Sequence, residues 1–492
     1  MKKYIKNISI VSFAAFIITA CESVDFGNAN VDPNNPTENL TNALLSNALF
    51  VTGDASTAIT PGYYVQHYSD IQYTNGSRYG TSEFSYDGFY TLTLHNLERI
   101  ISLNTNENTK KEVSAYGSNS NQIAVAKLVK AYTYHQMTDR WGYVPYSQAL
   151  KPGEFDFPKF DSSATIYNDL FKLIDQALNQ INTSENGPTG DIIFNGNMNR
   201  WKQFGNTLKL IMALRLSDVS SEMTSISGIN DFSKTKFNEA LLGTIRNQSE
   251  DMLFPYTLDD ATDNPWQDRY NGNRAPDFTV SKTLIDFLQD SNRKDPRLSK
   301  YADDVKNAPG TYVGMEYAVI SPNVDRQDIS LLTSSIANKG DAPGYIFTYA
   351  QVAFAKAEAV LKGWIPGDAS VFYYDGIKSS MEQWGVTNSE YNNYINQPAV
   401  IWNSTKGLEL IAEQKWVALF MQPYEAWAEW RRLDLPVILP AASPINGSGI
   451  PVRYGYSSTI NDSNRTEFQK AISAQGLPKL DDLGTKLFWD VK

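Results

Sequence analysis

Apolar residues recur every three or four positions in six stretches of the chain, and each stretch predicts a helix. Ile123, Ala124, Leu128, Ala131, Tyr132 and His135 fall on one stripe, the repeat expected where 3.6 residues complete a turn. The same period runs through Ile166, Leu170, Ile174 and Leu178, through residues 201–216, and through 347–361. The longest predicted helix spans 406–432, with Ile411, Trp416, Leu419, Phe420, Tyr424 and Trp427 on a broad apolar face; a short one lies at 466–474. Between about 220 and 345 the pattern breaks. Pro, Gly, Asn and Asp punctuate short apolar pieces there, as in Asp263-Asn264-Pro265-Trp266 and Ser321-Pro322-Asn323, which predicts a loop-rich lobe set into a helical scaffold. Residues 440–492 are again rich in turns. Successive helices suggest tetratricopeptide-like pairing, although no clean repeat of about 34 residues is present. The pattern by itself predicts a mostly α protein.

The N-terminus follows a different rule. Lys2, Lys3 and Lys6 precede an apolar run of thirteen residues, 8–20, too short to cross a bilayer core of roughly 30 Å as a helix. A basic segment before a short apolar one is the pattern of a secretory signal peptide. Ile18-Thr19-Ala20-Cys21 then reads as a lipobox, which predicts cleavage after residue 20, lipid attachment at Cys21, and a mature domain over 21–492. Cys21 is the only cysteine in 492 residues, so an exported chain has no internal disulfide to form. A single acyl chain anchors marginally, at about 0.8 kcal/mol per buried CH2, whereas two or more hold firmly. Residues 22–39, including Asp32-Pro33-Asn34-Asn35-Pro36-Thr37, read as an extended tether leading to a helix start near Thr37 or Asn39. The protein is expected to sit on a membrane without crossing it.

Charge and composition narrow the chemistry. Loss of Lys2, Lys3 and Lys6 with the signal peptide takes the formal net charge from -11 to -14. An acidic body argues against nucleic acid, whose phosphates need a basic footprint. The 28 Tyr, 23 Phe and 10 Trp are many, and a good share stand among Asn, Gly and Ser. Tyr and Trp join a flat apolar face to a polar edge, which suits a sugar ring with its C–H face and rim of hydroxyls. His67, His95 and His135 form no metal-binding pair, and His135 reads as a core residue. No nucleophile elbow or P-loop is present, and no cofactor or catalytic residue is assigned. A glycosidase needs only two carboxylates about 5–10 Å apart, so a glycan-degrading enzyme is the alternative of another class. A periplasmic solute-binding lipoprotein is a further one, disfavoured by the scarcity of β-branched runs.

Motifs spread over the chain resemble those of the SusD/RagB lipoproteins, in the branch called SusD-like 2. The tether with Asp32-Pro33-Asn34 is similar to that family's start. Arg140-Trp141-Gly142-Tyr143-Val144-Pro145-Tyr146 resembles its turn after a helix, with Tyr143 where a small acid is usual. Trp201-Lys202-Gln203-Phe204-Gly205-Asn206-Thr207-Leu208-Lys209-Leu210, Asp295-Pro296-Arg297, Ala357-Glu358-Ala359 and the 416–432 stretch match further motifs in order. Phe488-Trp489-Asp490 resembles the C-terminal one, with Phe488 replacing a Trp. The resemblance implies an outer-membrane, surface-exposed lipoprotein with tetratricopeptide-like helix pairs and an irregular lobe. It implies no catalytic activity, capture of an oligosaccharide (a peptide in some members), and delivery to a SusC-like TonB-dependent barrel.

Two loop-like stretches mix aromatics with amide and guanidinium groups, the combination of apolar wall and convergent polar groups that ligand sites use. One, 72–79, offers Tyr73, Asn75 and Tyr79. The other, 264–274, offers Trp266, Tyr270 and Arg274. These six are the expected glycan contacts. Trp141, Trp201, Trp416, Trp427 and Trp489 are expected to be structural, and Arg431 and Arg432 to pair with Glu425 and Glu429. The acidic run 259–264 could supply oxygen ligands to calcium but lacks EF-hand spacing; turn or helix capping is the simpler reading.

Overall fold

Three of the predicted helices begin where a side chain satisfies free backbone N–H groups. In the computed structural model, which describes residues 40–151, 153–271, 276–447 and 449–492, Ser118 accepts from the N–H of Asn121 and opens the helix Asn119–Trp141. Ser162 does the same for Ser163–Gln180 through Thr165, and Asn197 for Met198–Arg215 through Asn199 and Arg200. Such caps satisfy donors that no helical carbonyl reaches. The 119–141 helix stops at Gly142, whose φ of +82° suits glycine. The expected signal peptide and tether, and Cys21, lie outside the described residues.

The helices stack as pairs. Thr41–Gly53 packs on His95–Thr105, and Asn119–Trp141 on Ser163–Gln180. Met198–Arg215 packs on Phe232–Ala240, and Tyr349–Leu361 on Ala369–Gln383. Gly205 lets three helices close together: a Cβ there would fall 2.9 Å from both Leu128 and Leu178. Residues Thr41–Lys492 make one compact unit, joined by four short two-stranded ladders. Among the described residues no helix is long and apolar enough to cross a membrane.

Three expectations need correction. The 406–432 stretch is two helices, Gly407–Ala418 and Pro423–Leu433. Pro423 has no N–H to donate and disfavours helical geometry in the residue before it, and Gln422 accordingly sits at φ -127°, ψ 61°. The loop-rich stretch also begins later than 220, because Ser220–Ser227 and Phe232–Ala240 are helical. Finally, Arg431 pairs with neither glutamate: it lies 3.7 Å from the Trp427 ring and donates to the carbonyls of Asp139 and Val452. Arg432 does pair, with Glu429 at 2.7 Å and Glu358 at 2.6 Å, while Arg215 holds Glu425 and Asp139, each at 2.6 Å. Trp141, Trp201, Trp416, Trp427 and Trp489 are all buried, and His135 is a core residue bonded to the Tyr167 hydroxyl.

Candidate functional site

A single ladder brings the two predicted loop stretches together. Tyr68–Asp70 pairs antiparallel with Phe278–Val280, so the 72–80 turn that follows the first strand lies near the helix Pro265–Asn271 that precedes the second. The turn is tightly built. Asp70 accepts from the N–H of Ser77 at 2.8 Å and from its hydroxyl at 2.9 Å. The backbone N–H of Arg78, Tyr79 and Gly80 donate to the carbonyls of Thr74, Gly76 and Asn75. Burial raises the Asp70 carboxyl above its usual range, against the lowering effect of the Ser77 hydrogen bonds. Tyr79 occupies the left-handed region at φ +62°, uncommon for a bulky residue, and its hydroxyl accepts from the N–H of Ala441 and meets the Tyr317 hydroxyl.

Burial divides the six expected contacts. Tyr73 is 68 % exposed, and Asn75 is also exposed, beside Gly80, where a Cβ would fall 2.7 Å from the Asn75 Oδ1. Trp266 and Tyr79 do not fit the expectation. Trp266 is 0 % exposed, packed between Tyr68 at 5.2 Å and Phe278 at 5.5 Å between ring centroids, so neither ring face is free for a sugar. Tyr79 is buried against Tyr64. Tyr270 is half-buried, with its ring edge-on to Phe278 and its hydroxyl donating to the Phe278 carbonyl; it supports the ladder. Arg274 lies outside the described residues. The Asn264 side chain caps the Pro265–Asn271 helix through the N–H of Trp266, and Asp259 caps the turn before it. Among the described residues no cluster of His, Cys, Asp or Glu is arranged to hold a metal.

The aromatic residues beneath therefore form a rigid bed, and the turn presents Tyr73 above it. Gln72 beside Tyr73 accepts from Arg326, whose Nε also donates to the Pro276 carbonyl. The Thr74 hydroxyl donates to the carbonyl of Ile320, and the N–H of Ile445 donates to that of Arg78. Ile320 and Ile445 are exposed apolar residues, as are Val319 and Leu439 on the same two flanking segments. The local pattern did not point to these neighbours. The two segments lie about 240 and 370 residues from the turn along the chain, and only the folded backbone sets them beside it. The arrangement offers one exposed aromatic ring, two amides on the same turn, a guanidinium and exposed apolar residues on the flanking segments. It can stack a flat apolar ring and hydrogen-bond its edge.

Residues 33–457 match the family described as "Starch-binding associating with outer membrane", SusD-like 2. The chain belongs to that family. The fold agrees. A solved chitin-binding protein aligns with 25% identity and a TM-score of 0.77, over 92% of this chain and 100% of its own. A SusD homologue from Bacteroides uniformis aligns with 23% identity and a TM-score of 0.75, over 92% and 99%. A chitin-binding SusD homologue from Flavobacterium johnsoniae gives 21% and 0.72, over 92% and 98%. No curated protein matches the sequence.

Proposed function

We propose that this SusD-like protein captures an oligosaccharide outside the cell on the 72–80 turn and hands it to a SusC-like TonB-dependent barrel, leaving bond cleavage to other proteins. The observation that carries the reading is Tyr73. An aromatic ring 68 % exposed, on a turn whose backbone is pinned through Asp70, is a stacking platform that needs little backbone ordering on binding. Gln72, Asn75 and Arg326 are the polar groups nearby that would meet ring hydroxyls. The chitin-binding neighbours and the starch-binding description of the family support a glycan as the ligand. Lipid attachment at Cys21 would hold the protein at the outer membrane beside its barrel. One aromatic face contributes about 1–3 kcal/mol, so a short glycan is expected to bind in the micromolar range, about 8 kcal/mol in all, weak enough to be released onward.

Electrophoresis of residues 22–492 through gels cast with starch, soluble chitin derivatives or other neutral and acidic polysaccharides tests this. Retardation by one polysaccharide is expected, with no release of reducing sugar on incubation. Binding to peptides alone would place the protein on the peptide-capturing side of the family, and no retardation by any glycan would contradict the proposal. Purification of the full chain from outer membranes, with and without Cys21→Ala, tests the anchor and the barrel partner separately.

A further inference from the structure

A second pocket opens on another part of the scaffold. It encloses about 260 Å³, between the Asn119–Trp141 helix, the start of Pro423–Leu433 and the segment 84–93. Aromatic rings make its walls: Phe84, Phe89, Tyr132, Trp141, Tyr424 and Tyr454. Phe84 and Tyr454 are stacked face to face at 3.7 Å. The exposed residues Ser85 and Gly88 stand at its mouth. At about 30 Å³ per water it has room for on the order of nine waters, or for one small ring.

The group that sets it apart is Arg140. Its guanidinium is only 4 % exposed, and it lies 3.3 Å from the Tyr424 ring centroid and 5.2 Å from that of Phe89. It donates from Nη2 to the Gln136 side-chain amide oxygen Oε1 at 2.6 Å, and Nε has no partner. Among the described residues no carboxylate reaches it. Two acids lie close by but are committed elsewhere: Asp139, the preceding residue, to Arg215, Tyr167 and Trp489, and Glu425, next to Tyr424, to Arg215. Ring faces attract a cation but do not neutralise it, and a buried guanidinium without a counter-charge is costly.

A second polar group in the wall is also unused. Phe89–Leu94 is a π-helix, a rare geometry that recurs at functional sites. A helical threonine usually turns its hydroxyl back to the carbonyl four residues earlier. Thr93 in this π-helix makes no such bond: its Oγ1 is buried without a partner and its side chain lines the pocket.

We infer that this aromatic pocket is a binding site for a small organic carboxylate, with its ring or apolar body between the aromatic walls and its carboxylate on Arg140. A carboxylate would supply the direct ion pair that neither Asp139 nor Glu425 makes and would accept from the guanidinium, whose Nε–H has no partner. The site is separate from the 72–80 turn and does not depend on the glycan reading.

Calorimetric titration with benzoate, benzyl alcohol, glucuronate and glucose tests the inference on residues 22–492. At least one carboxylate is expected to bind saturably, and about tenfold or more tighter than its neutral counterpart. Arg140→Met keeps the pocket apolar and should abolish that preference. Gly88→Phe should also abolish binding, by closing the mouth; the backbone there is ordinary helix and a Cβ meets nothing within 4 Å, so its melting temperature should match wild type. Equal affinity for acid and neutral ligand, a preference that survives Arg140→Met, carboxylate binding unchanged in Gly88→Phe, or no saturable binding of any carboxylate would each overturn the inference.

Discussion

Tyr73 and Trp266 show how burial assigns roles to residues of similar chemistry. Both are aromatic, both are flanked by amides and prolines or glycines, and local composition does not separate them. What separates them is the Tyr68–Asp70 and Phe278–Val280 ladder, a contact across more than two hundred residues that turns one stretch into a bed and the other into a crest. Trp266→Ala is therefore expected to destabilise by about 3–5 kcal/mol, the usual cost of emptying a buried aromatic site, read as a lowered denaturation midpoint. Asp251 makes a second prediction at this scale. Its Oδ1 accepts from the N–H of Tyr349 at 2.6 Å while Oδ2 is buried without a partner, and burial pushes the carboxyl up to about 7. A raised carboxyl favours the fold while protonated, so its contribution is complete below about 4, where the unfolded carboxyl titrates, and is lost as pH rises through about 7. Asp251→Asn should thus gain stability relative to wild type between pH 4 and 7, with no further gain above; melting curves across that range measure it. A constant difference at all pH values would rule the account out.

At the scale of elements, the helices with the strongest stripes were legible, because caps and periodicity are local, whereas Thr41–Gly53, His95–Thr105 and Ala369–Gln383 were not read from the pattern. Ser118, Ser162 and Asn197 stand where the first turns begin, and the 3.6-residue stripe carries on from each. The break at Pro423 was missed, because the apolar face on either side of it reads as one continuous stripe. That face is continuous because both helices pack against the same core, so the periodicity alone misleads. How elements join was not legible. Arg432, on Pro423–Leu433, makes two hydrogen bonds to Glu358 on Tyr349–Leu361 at 2.7 and 2.6 Å, and shares Glu429 with Lys415 of Gly407–Ala418. Three helices meet on this one buried network. Arg432→Ala strips the buried Glu358 of both its hydrogen bonds while Glu429 keeps Lys415, and is expected to cost about 3–5 kcal/mol; Arg432→Met together with Glu358→Leu should cost less than Arg432→Ala alone. Chemical denaturation of the three variants reads the difference.

Over the whole molecule, family motifs far apart in sequence converge. Trp489, near the C-terminus, donates to Asp139 at 2.9 Å, and Arg215 lies 5.1 Å from its ring. The motif at 140–146, the helix ending at Arg215, the 423–433 helix and the C-terminal motif thus share one buried centre, which is why they are recognisable as a set although each alone is unremarkable. Removal of residues 488–492 should lower the melting temperature markedly, since it exposes the Asp139 and Arg215 centre as well as unburying Trp489. The fold class was legible from these motifs. The proposed ligand surface was not, because it is assembled from the 72–80 turn, the 318–326 loop and the 437–445 segment, which no local pattern links. The central claim is that this assembled surface captures a glycan through Tyr73. Isothermal titration of wild type and Tyr73→Ala with the oligosaccharide retained in gels tests it most directly, at matched melting temperature. The account predicts saturable micromolar binding by wild type and a loss of about tenfold or more in the variant. Equal affinities in the two proteins would contradict it.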